Sequence, residues 1–375
     1  MEASPKKNDL LLLKFIPHQA FMFIFSIPDC ICSFLSTKQP QAFYCSYFKW
    51  FYAIIFEDIP ERQRKGKNMF AIQHLKGNTY FINAPTNIGL YKLDEKNCIL
   101  IDACYPGPIT DELLEALEHH HLHVHAILNT HGHIDHFGSI AALKEKYHSI
   151  VAAAPFENSF IEYPDLYAFL LVPFVPFSLD KNFYLPKGAK VEILLEPPRC
   201  TIQNIHFDII PLPGHTSNHI GIATPDKVLF VGDAFTGEPY TERIKIYYHQ
   251  NISDAIDSMR FLLKTNYDVY VPSHGNPVTA IENIIQKNIQ SINSTVDYIY
   301  QMLSKKPLST DEIVSAVNTR FHIPEKFVEY YIAQSCIMSI LSFLENSQKI
   351  QIVFENGTIK FAGKSRIHRY ESIMI

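Results

Sequence analysis

Positions 130 to 136 read Thr130, His131, Gly132, His133, Ile134, Asp135, His136, so five groups able to bind or support a metal fall within seven residues. This stretch limits the fold tightly, because three imidazoles and a carboxylate so close in sequence need a rigid place to converge. The apolar run before it (Ala126, Ile127, Leu128, Asn129) predicts a buried strand, and residues 137–143 after it predict a helix. A strand that ends in a His-x-His-x-Asp-His loop aims its polar side chains into one small volume. That donor set suits a borderline cation such as Zn²⁺, which accepts imidazole nitrogen and carboxylate oxygen. A polar surface loop with adventitious histidines is the bland alternative, and the rest of the chain weighs against it.

Three later apolar runs also lead to ligand-type residues: 209–212 to His215, 228–231 to Asp233, and 269–272 to His274. An earlier run, 99–101, ends on Asp102. In this order, together with the 131–136 loop, they resemble the metallo-β-lactamase fold superfamily of metallohydrolases in its two-metal form, over about residues 70–285. The resemblance implies an α/β fold, an αββα sandwich. It also implies that His131, His133 and His215 hold one metal, that Asp135, His136 and His274 hold the other, and that Asp233 bridges them. Asp102 would accept a hydrogen bond from a ligand histidine and fix its tautomer. The implied cofactor is two divalent metal ions, zinc first, with iron or manganese as alternatives.

The chemistry agrees independently of the family. Two cations about 3.5–4 Å apart can share a water, lower its pKa toward about 7 and hold both the attacking and the developing oxygen. Asp135 and Asp233 would orient the shared hydroxide as the catalytic carboxylates, without a serine or cysteine nucleophile. An aspartate can span two metals through its separate oxygens, which an imidazole cannot. Asn218 stands where the glyoxalase II branch of the superfamily usually carries glycine, and His219 beside it reads as a hydrogen-bonding residue rather than a ligand.

At 375 residues the chain is long enough for two domains, and 47% apolar against 19% charged residues fits a globular core. A net charge of −5 leaves no global basic footprint for nucleic acid, and the seven scattered cysteines make no disulfide framework. A reducing cytoplasm is the expected compartment. Residues 1–68 do not share the pattern of the rest. Lys14, Pro17, Pro28, Asp29 and Lys49 break apolar runs that would need about 20 residues to span a membrane, and no signal-peptide cleavage site follows. The expectation is an N-terminal extension of uncertain standing. Met69, preceded by a stretch that purine-rich codons would encode, reads as the natural start, and a weak membrane tether is the alternative.

The catalytic domain is expected over 69–285. Residues 70–75 and 79–83 flank one turn, 89–93 and 97–102 flank another, and a helix is predicted over 108–119. The histidine tract at 119–125 reads as a surface feature at a helix end. Between 155 and 187, Phe156, Phe160, Tyr163, Tyr167, Phe169, Phe174, Phe177, Phe183 and Tyr184 either roof the metal site, favouring a substrate with a lipophilic arm, or fill a core beneath a loop. Tyr240, Tyr247, Tyr248 and His249 are further candidates to line the pocket.

A small helical, winged-helix-like domain is expected over 286–362, and a loose tail over 363–375. An apolar stripe begins at Ile284, Ser309 to Glu312 form a capping box, Pro324 fits the first turn of a third helix, and Asn356-Gly357 turns a hairpin. Charge argues against DNA: residues 300–362 carry six Lys/Arg against six Asp/Glu, and the 325–345 helix has one lysine and three glutamates. Its apolar length fits packing on the catalytic domain or on a homodimer partner. The expected function is therefore binuclear metal-dependent hydrolysis of a small ester, thioester or lactone by a metal-bridging hydroxide. A nucleic-acid phosphodiesterase and a mononuclear iron dioxygenase of the same fold are the alternatives. Only 40 residues separate Asp233 from His274, too few for the large domain that the RNA-processing branch inserts there. The expected partner is a small-molecule substrate, with no nucleic acid and no membrane contact.

Overall fold

The computed structural model describes residues 70–167, 186–244 and 246–364. The N-terminal extension, the 365–375 end of the tail, and Phe169, Phe174, Phe177, Phe183 and Tyr184 lie outside the described residues. A seven-stranded sheet runs in chain order through β1 (Ile72–Lys76), β2 (Thr79–Ile82), β3 (Ile88–Lys92), β4 (Asn97–Ile101), β5 (His123–Asn129), β6 (Ile150–Ala153) and β7 (Ile193–Leu194). A five-stranded sheet holds β8 (Arg199–Ile202), β9 (Ile205–Pro211), β10 (Ile220–Ala223), β11 (Val228–Gly232) and β12 (Val269–Pro272), in the order β12-β11-β10-β9-β8. Between β4 and β7 the described residues form helices α1 (Pro108–His119), α2 (Ile134–Phe137), α3 (Ile140–Tyr147) and α4 (Glu157–Glu162). α5 (Tyr240–Arg243) and α6 (Ile252–Leu262) follow β11.

The layering follows from strand periodicity. Successive side chains of a strand face opposite ways, so a strand buried on both faces divides its apolar residues between two cores. In β4, Cys98 and Leu100 join the core shared with α1 and α3, while Ile99 and Ile101 join the core between the sheets. β5 splits likewise, Val124 and Ile127 outward against Ala126 and Leu128 inward. In β11, Val228 and Phe230 meet the first sheet, whereas Leu229 and Val231 face a third core with α6. The result is a four-layer helix–sheet–sheet–helix sandwich, as expected.

That third core continues into the C-terminal elements. These are α7 (Glu282–Leu303), β13 (Leu308–Ser309), α8 (Thr310–Phe321), α9 (Phe327–Asn346), β14 (Ile350–Glu355) and β15 (Thr358–Gly363). Ile285, Ile292 and Ile299 of α7 and Ile337, Leu341 and Leu344 of α9 share one apolar cluster with Leu212, Phe235 and Met259. Each such fully buried aliphatic side chain contributes about 1.5–3 kcal/mol. The apolar side of α9 therefore packs within its own chain. The expected boundary at 285–286 falls inside α7. Ser309 and Glu312 make the capping box: Ser309 Oγ accepts from the Glu312 N–H and Glu312 Oε2 accepts from the Ser309 N–H. Asn356 and Gly357, with φ of 51° and 75°, turn β14 into β15. Pro324 is not in the first turn of α9. The helix begins at Phe327 behind Lys326, whose N–H is taken by the Pro324 carbonyl in a preceding turn. Among the described residues, no helix is long and apolar enough to cross a membrane.

Candidate metal centre

β5 ends at Asn129 and α2 begins at Ile134, so His131, His133, Asp135 and His136 leave one edge of the first sheet together. The second sheet delivers the other residues from the ends of β9, β11 and β12: His215, Asp233 and His274. A glycine brings the His215 loop into place. Gly214 has φ 128°, and a Cβ there would lie 2.2 Å from the backbone nitrogen of Ala255 in α6.

Two groups of donors form. Atoms from His131, His133, His215 and Asp233 lie within 4.8 Å of one another, as do atoms from Asp135, His136, Asp233 and His274. Asp233 belongs to both. Its Oδ2 stands 3.3 Å from His215 Nε2, 3.6 Å from His136 Nε2 and 3.7 Å from His274 Nε2. The structure thus brings together all seven residues that the sequence singled out as ligands.

Supporting bonds fix the donors. Asp102, at φ 63°, accepts from the Thr130 N–H (2.8 Å), Thr130 Oγ1 (2.8 Å), Asn129 Nδ2 (3.1 Å) and His136 Nδ1 (2.9 Å). With its Nδ1 proton held there, His136 turns its Nε2 edge toward Asp135 and Asp233. His215 donates from Nδ1 to the Tyr248 carbonyl at 2.8 Å. His219 Nε2 accepts from the Asp233 N–H at 3.0 Å, which suits a hydrogen-bonding residue. Thr86 Oγ1 donates to Asp135 at 3.2 Å.

Two supports had no signal in the sequence. Glu157 is fully buried and accepts from the Gly132 N–H (2.7 Å), Thr216 Oγ1 (2.7 Å) and the Asn218 N–H (3.1 Å), clamping the 131–133 loop to the His215 loop. Asn218 also donates from Nδ2 to the Pro155 carbonyl at 2.8 Å, a bond glycine could not make. Asn87 donates to the carbonyls of Pro272 and Gly275 at 2.8 and 2.6 Å, bracing the His274 loop from the first sheet. Tyr167 and Tyr248 set their rings edge-on against His133, at 5.7 and 5.4 Å, and Tyr240 lies 5.8 Å from His274. His119, His120, His121 and His123 are exposed and join neither group.

The electrostatics divide the site. Burial and the neighbouring imidazoles push His131 well below the ordinary histidine value, and burial with His215 takes His133 down to about 3. His215 is lowered too, chiefly by burial. Burial also disfavours the charged form of His136 and His274, but Asp135 and Asp233 outweigh it and raise both. Against the effect of burial, the same imidazoles hold Asp135 and Asp233 ionised, far below the usual carboxylate range.

These residues fit a metal. His131 Nε2, His136 Nε2 and Asp233 Oδ1 are buried without a hydrogen-bond partner among the described residues, although such atoms ordinarily have one. The ionised carboxylates and the neutral rings of His131, His133 and His215 are in the forms that bind a cation, and His136 and His274 would release a proton to do so. Residues 82–274 match the metallo-beta-lactamase superfamily. The chain belongs to that superfamily.

Among its relatives, hydroxyacylglutathione hydrolase GloC of Haemophilus influenzae is 31% identical over 150 residues, 39% of this chain and 65% of that protein. Hydroxyacylglutathione hydrolase 1 of Vibrio vulnificus is 32% identical over 140 residues, 37% of this chain and 44% of that protein. The chain therefore spans less than two thirds of the length of either. "Probable metallo-hydrolase YqjP" of Bacillus subtilis is 22% identical over 298 residues, 71% of this chain and 90% of that protein. A solved metallo-beta-lactamase family protein from Thermus thermophilus has the same fold, with a TM-score of 0.59 at 18% identity over 76% of this chain and 99% of that one.

Proposed function

We propose that this superfamily member is a metal-dependent hydrolase that uses two divalent ions, zinc first, to cleave a small ester, thioester or lactone. One observation carries the reading: Asp233 belongs to both donor groups. His131, His133 and His215 would hold one ion, Asp135, His136 and His274 the other, and Asp233 both. The chemistry such a pair supplies when bound is acidification of a water and stabilisation of negative charge on oxygen.

The chain's own residues do the rest. Asp135 and Asp233 accept hydrogen bonds from the attacking water and hold its lone pair toward the carbonyl carbon. Asp102 and the Tyr248 carbonyl keep the Nδ1 protons of His136 and His215, so Nε2 is the atom that each ring would offer to a cation. Burial raises the Cys104 thiol to about 12, which leaves it protonated and unsuited to be a nucleophile. No acyl-enzyme is expected. The net charge of −5 and the short 233–274 interval support a small substrate over a nucleic acid. Cys98, Cys104, Cys200 and Cys336 are free thiols, which supports a reducing compartment such as the cytoplasm.

Metal analysis of purified protein, followed by a screen of ester, thioester, lactone and phosphodiester substrates, tests this. Two ions per chain and chelator-sensitive cleavage of a carbonyl ester, thioester or lactone are expected. Full activity with a single ion, or cleavage of phosphodiesters alone, would overturn it.

A further inference from the structure

Beside the metal residues lies a groove of about 410 Å³, within the range of small-molecule sites. Tyr248 connects the two: it lines the groove, and its ring stands 5.4 Å from His133 and 5.7 Å from His215. Phe156 and Phe160 form one wall, and Ser335, Met338 and Ser339 of α9 form another. The wall from α9 is fixed in place, because Ser339 Oγ donates to the Gln250 carbonyl at 3.0 Å. Phe156 is held at φ 73°, a costly conformation for an aromatic residue, and its ring stays 56% exposed while meeting Phe160 edge-on at 5.7 Å.

Two properties define what such a groove can hold. None of the described residues lining it is Asp, Glu, Lys or Arg, so a charged group entering it would lose water without gaining a counter-ion. His249, only 3% exposed, also lines it, and neither ring nitrogen has a hydrogen-bond partner among the described residues. Its ring stacks on Tyr247, with planes 5° apart, which sets its orientation. Left unpaired, such an imidazole carries a desolvation cost that a polar atom brought by a ligand would relieve.

We propose that this groove is the subsite for the non-reacting arm of the substrate, and that it takes an uncharged, mainly apolar arm bearing a hydroxyl or amide that pairs with His249. The inference rests on the hydrolase reading above and narrows it. It disfavours arms with free carboxylates or phosphates. It also makes α9, which lies outside the residues matched to the superfamily, a determinant of specificity.

The test uses the full-length, metal-loaded protein and four p-nitrophenyl esters: acetate, hexanoate, and six-carbon arms ending in a primary amide or in the isosteric carboxylate. The amide-ended arm should exceed the carboxylate-ended one in kcat/KM by about tenfold or more. Met338→Trp, at a part-exposed position that tolerates a larger side chain, should lower the ratio of hexanoate to acetate kcat/KM by about tenfold. His249→Phe should bring the amide-ended arm down to the level of hexanoate. Preference for the carboxylate, or unchanged ratios in both variants, would overturn the proposal while leaving the hydrolase reading intact. A readout independent of turnover is the NMR signal of the His249 ring during titration with hexanamide. It should shift in the wild type and not in Met338→Trp. No shift in the wild type overturns the groove. A shift without cleavage of any ester, thioester or lactone upholds the groove as a binding site and sinks the hydrolase reading instead.

Discussion

The two donor groups share Asp233 yet differ in how they meet a cation. In the group of His131, His133 and His215, burial disfavours charge on every ring, and the rings stay neutral, with His133 Nδ1 and His215 Nε2 paired at 2.9 Å. In the group of Asp135, His136 and His274, the carboxylates hold protons on the imidazoles, and a cation must displace them. Similar residue types in one fold thus give one site open to metal and one guarded by protons. The count of carboxylates beside each ring decides which is which.

The most drastic way to break the contrast is to remove the residue common to both. Asp233→Ala should lower kcat/KM by about 1,000-fold, the scale of losing a preorganised electrostatic group, while circular dichroism shows the fold retained. Near-normal turnover with two bound ions would refute the shared assignment. Asp102→Ala strikes one side harder than the other. It frees His136 Nδ1, so affinity at the second group should fall about 10- to 100-fold, with a smaller loss at the first group, which Asp102 reaches only through Thr130, in a competition titration.

The pH response is a gentler probe. His136 and His274 have raised pKa values, so as pH rises through those values their protons leave and binding at the second group tightens, by up to about tenfold per pH unit for each proton displaced. The first group has lowered values and should bind with nearly constant affinity from neutral pH down through the ordinary histidine range. Calorimetry in buffers of different ionisation heat reads the protons released, and equal release from both groups would erase the contrast. The smallest effect is expected from Glu157→Gln, which sets an amide NH₂ against one of the backbone N–H groups the carboxylate now accepts. A loss of about 1 kcal/mol, or a melting point lower by about 2–4 °C, is expected, together with weaker binding at the first group only.

The candidate ligands were legible because their identities and their places at strand ends are both written in the chain. His131 to His136, His215, Asp233 and His274 each follow an apolar run, and Asp102 precedes them in the same way. Their supports were not legible. Glu157 opens a short helix, where an acid ordinarily faces water and favours the helix dipole. Its burial depends on Gly132, where a Cβ would stand 2.6 Å from Phe160 Cδ2 and 3.0 Å from Glu157 Oε2. Asn87 reads as a turn residue until the second sheet places two carbonyls beside it. α9 is apolar over most of its circumference, so periodicity left open whether its own chain or a second copy would cover it. Only the shared core with Leu212, Phe235 and Met259 answers that.

Each donor group draws two residues from the first sheet and two from the second. Any ion held there would therefore also be a fastener across the seam of the sandwich, a reversible crosslink added to the apolar core and to the Asn87 and Glu157 hydrogen bonds that already join the two halves. Stripping the ions would loosen the molecule along that seam at the moment it becomes inactive. Metal supply would then govern how long the protein survives proteolysis as well as how fast it turns over.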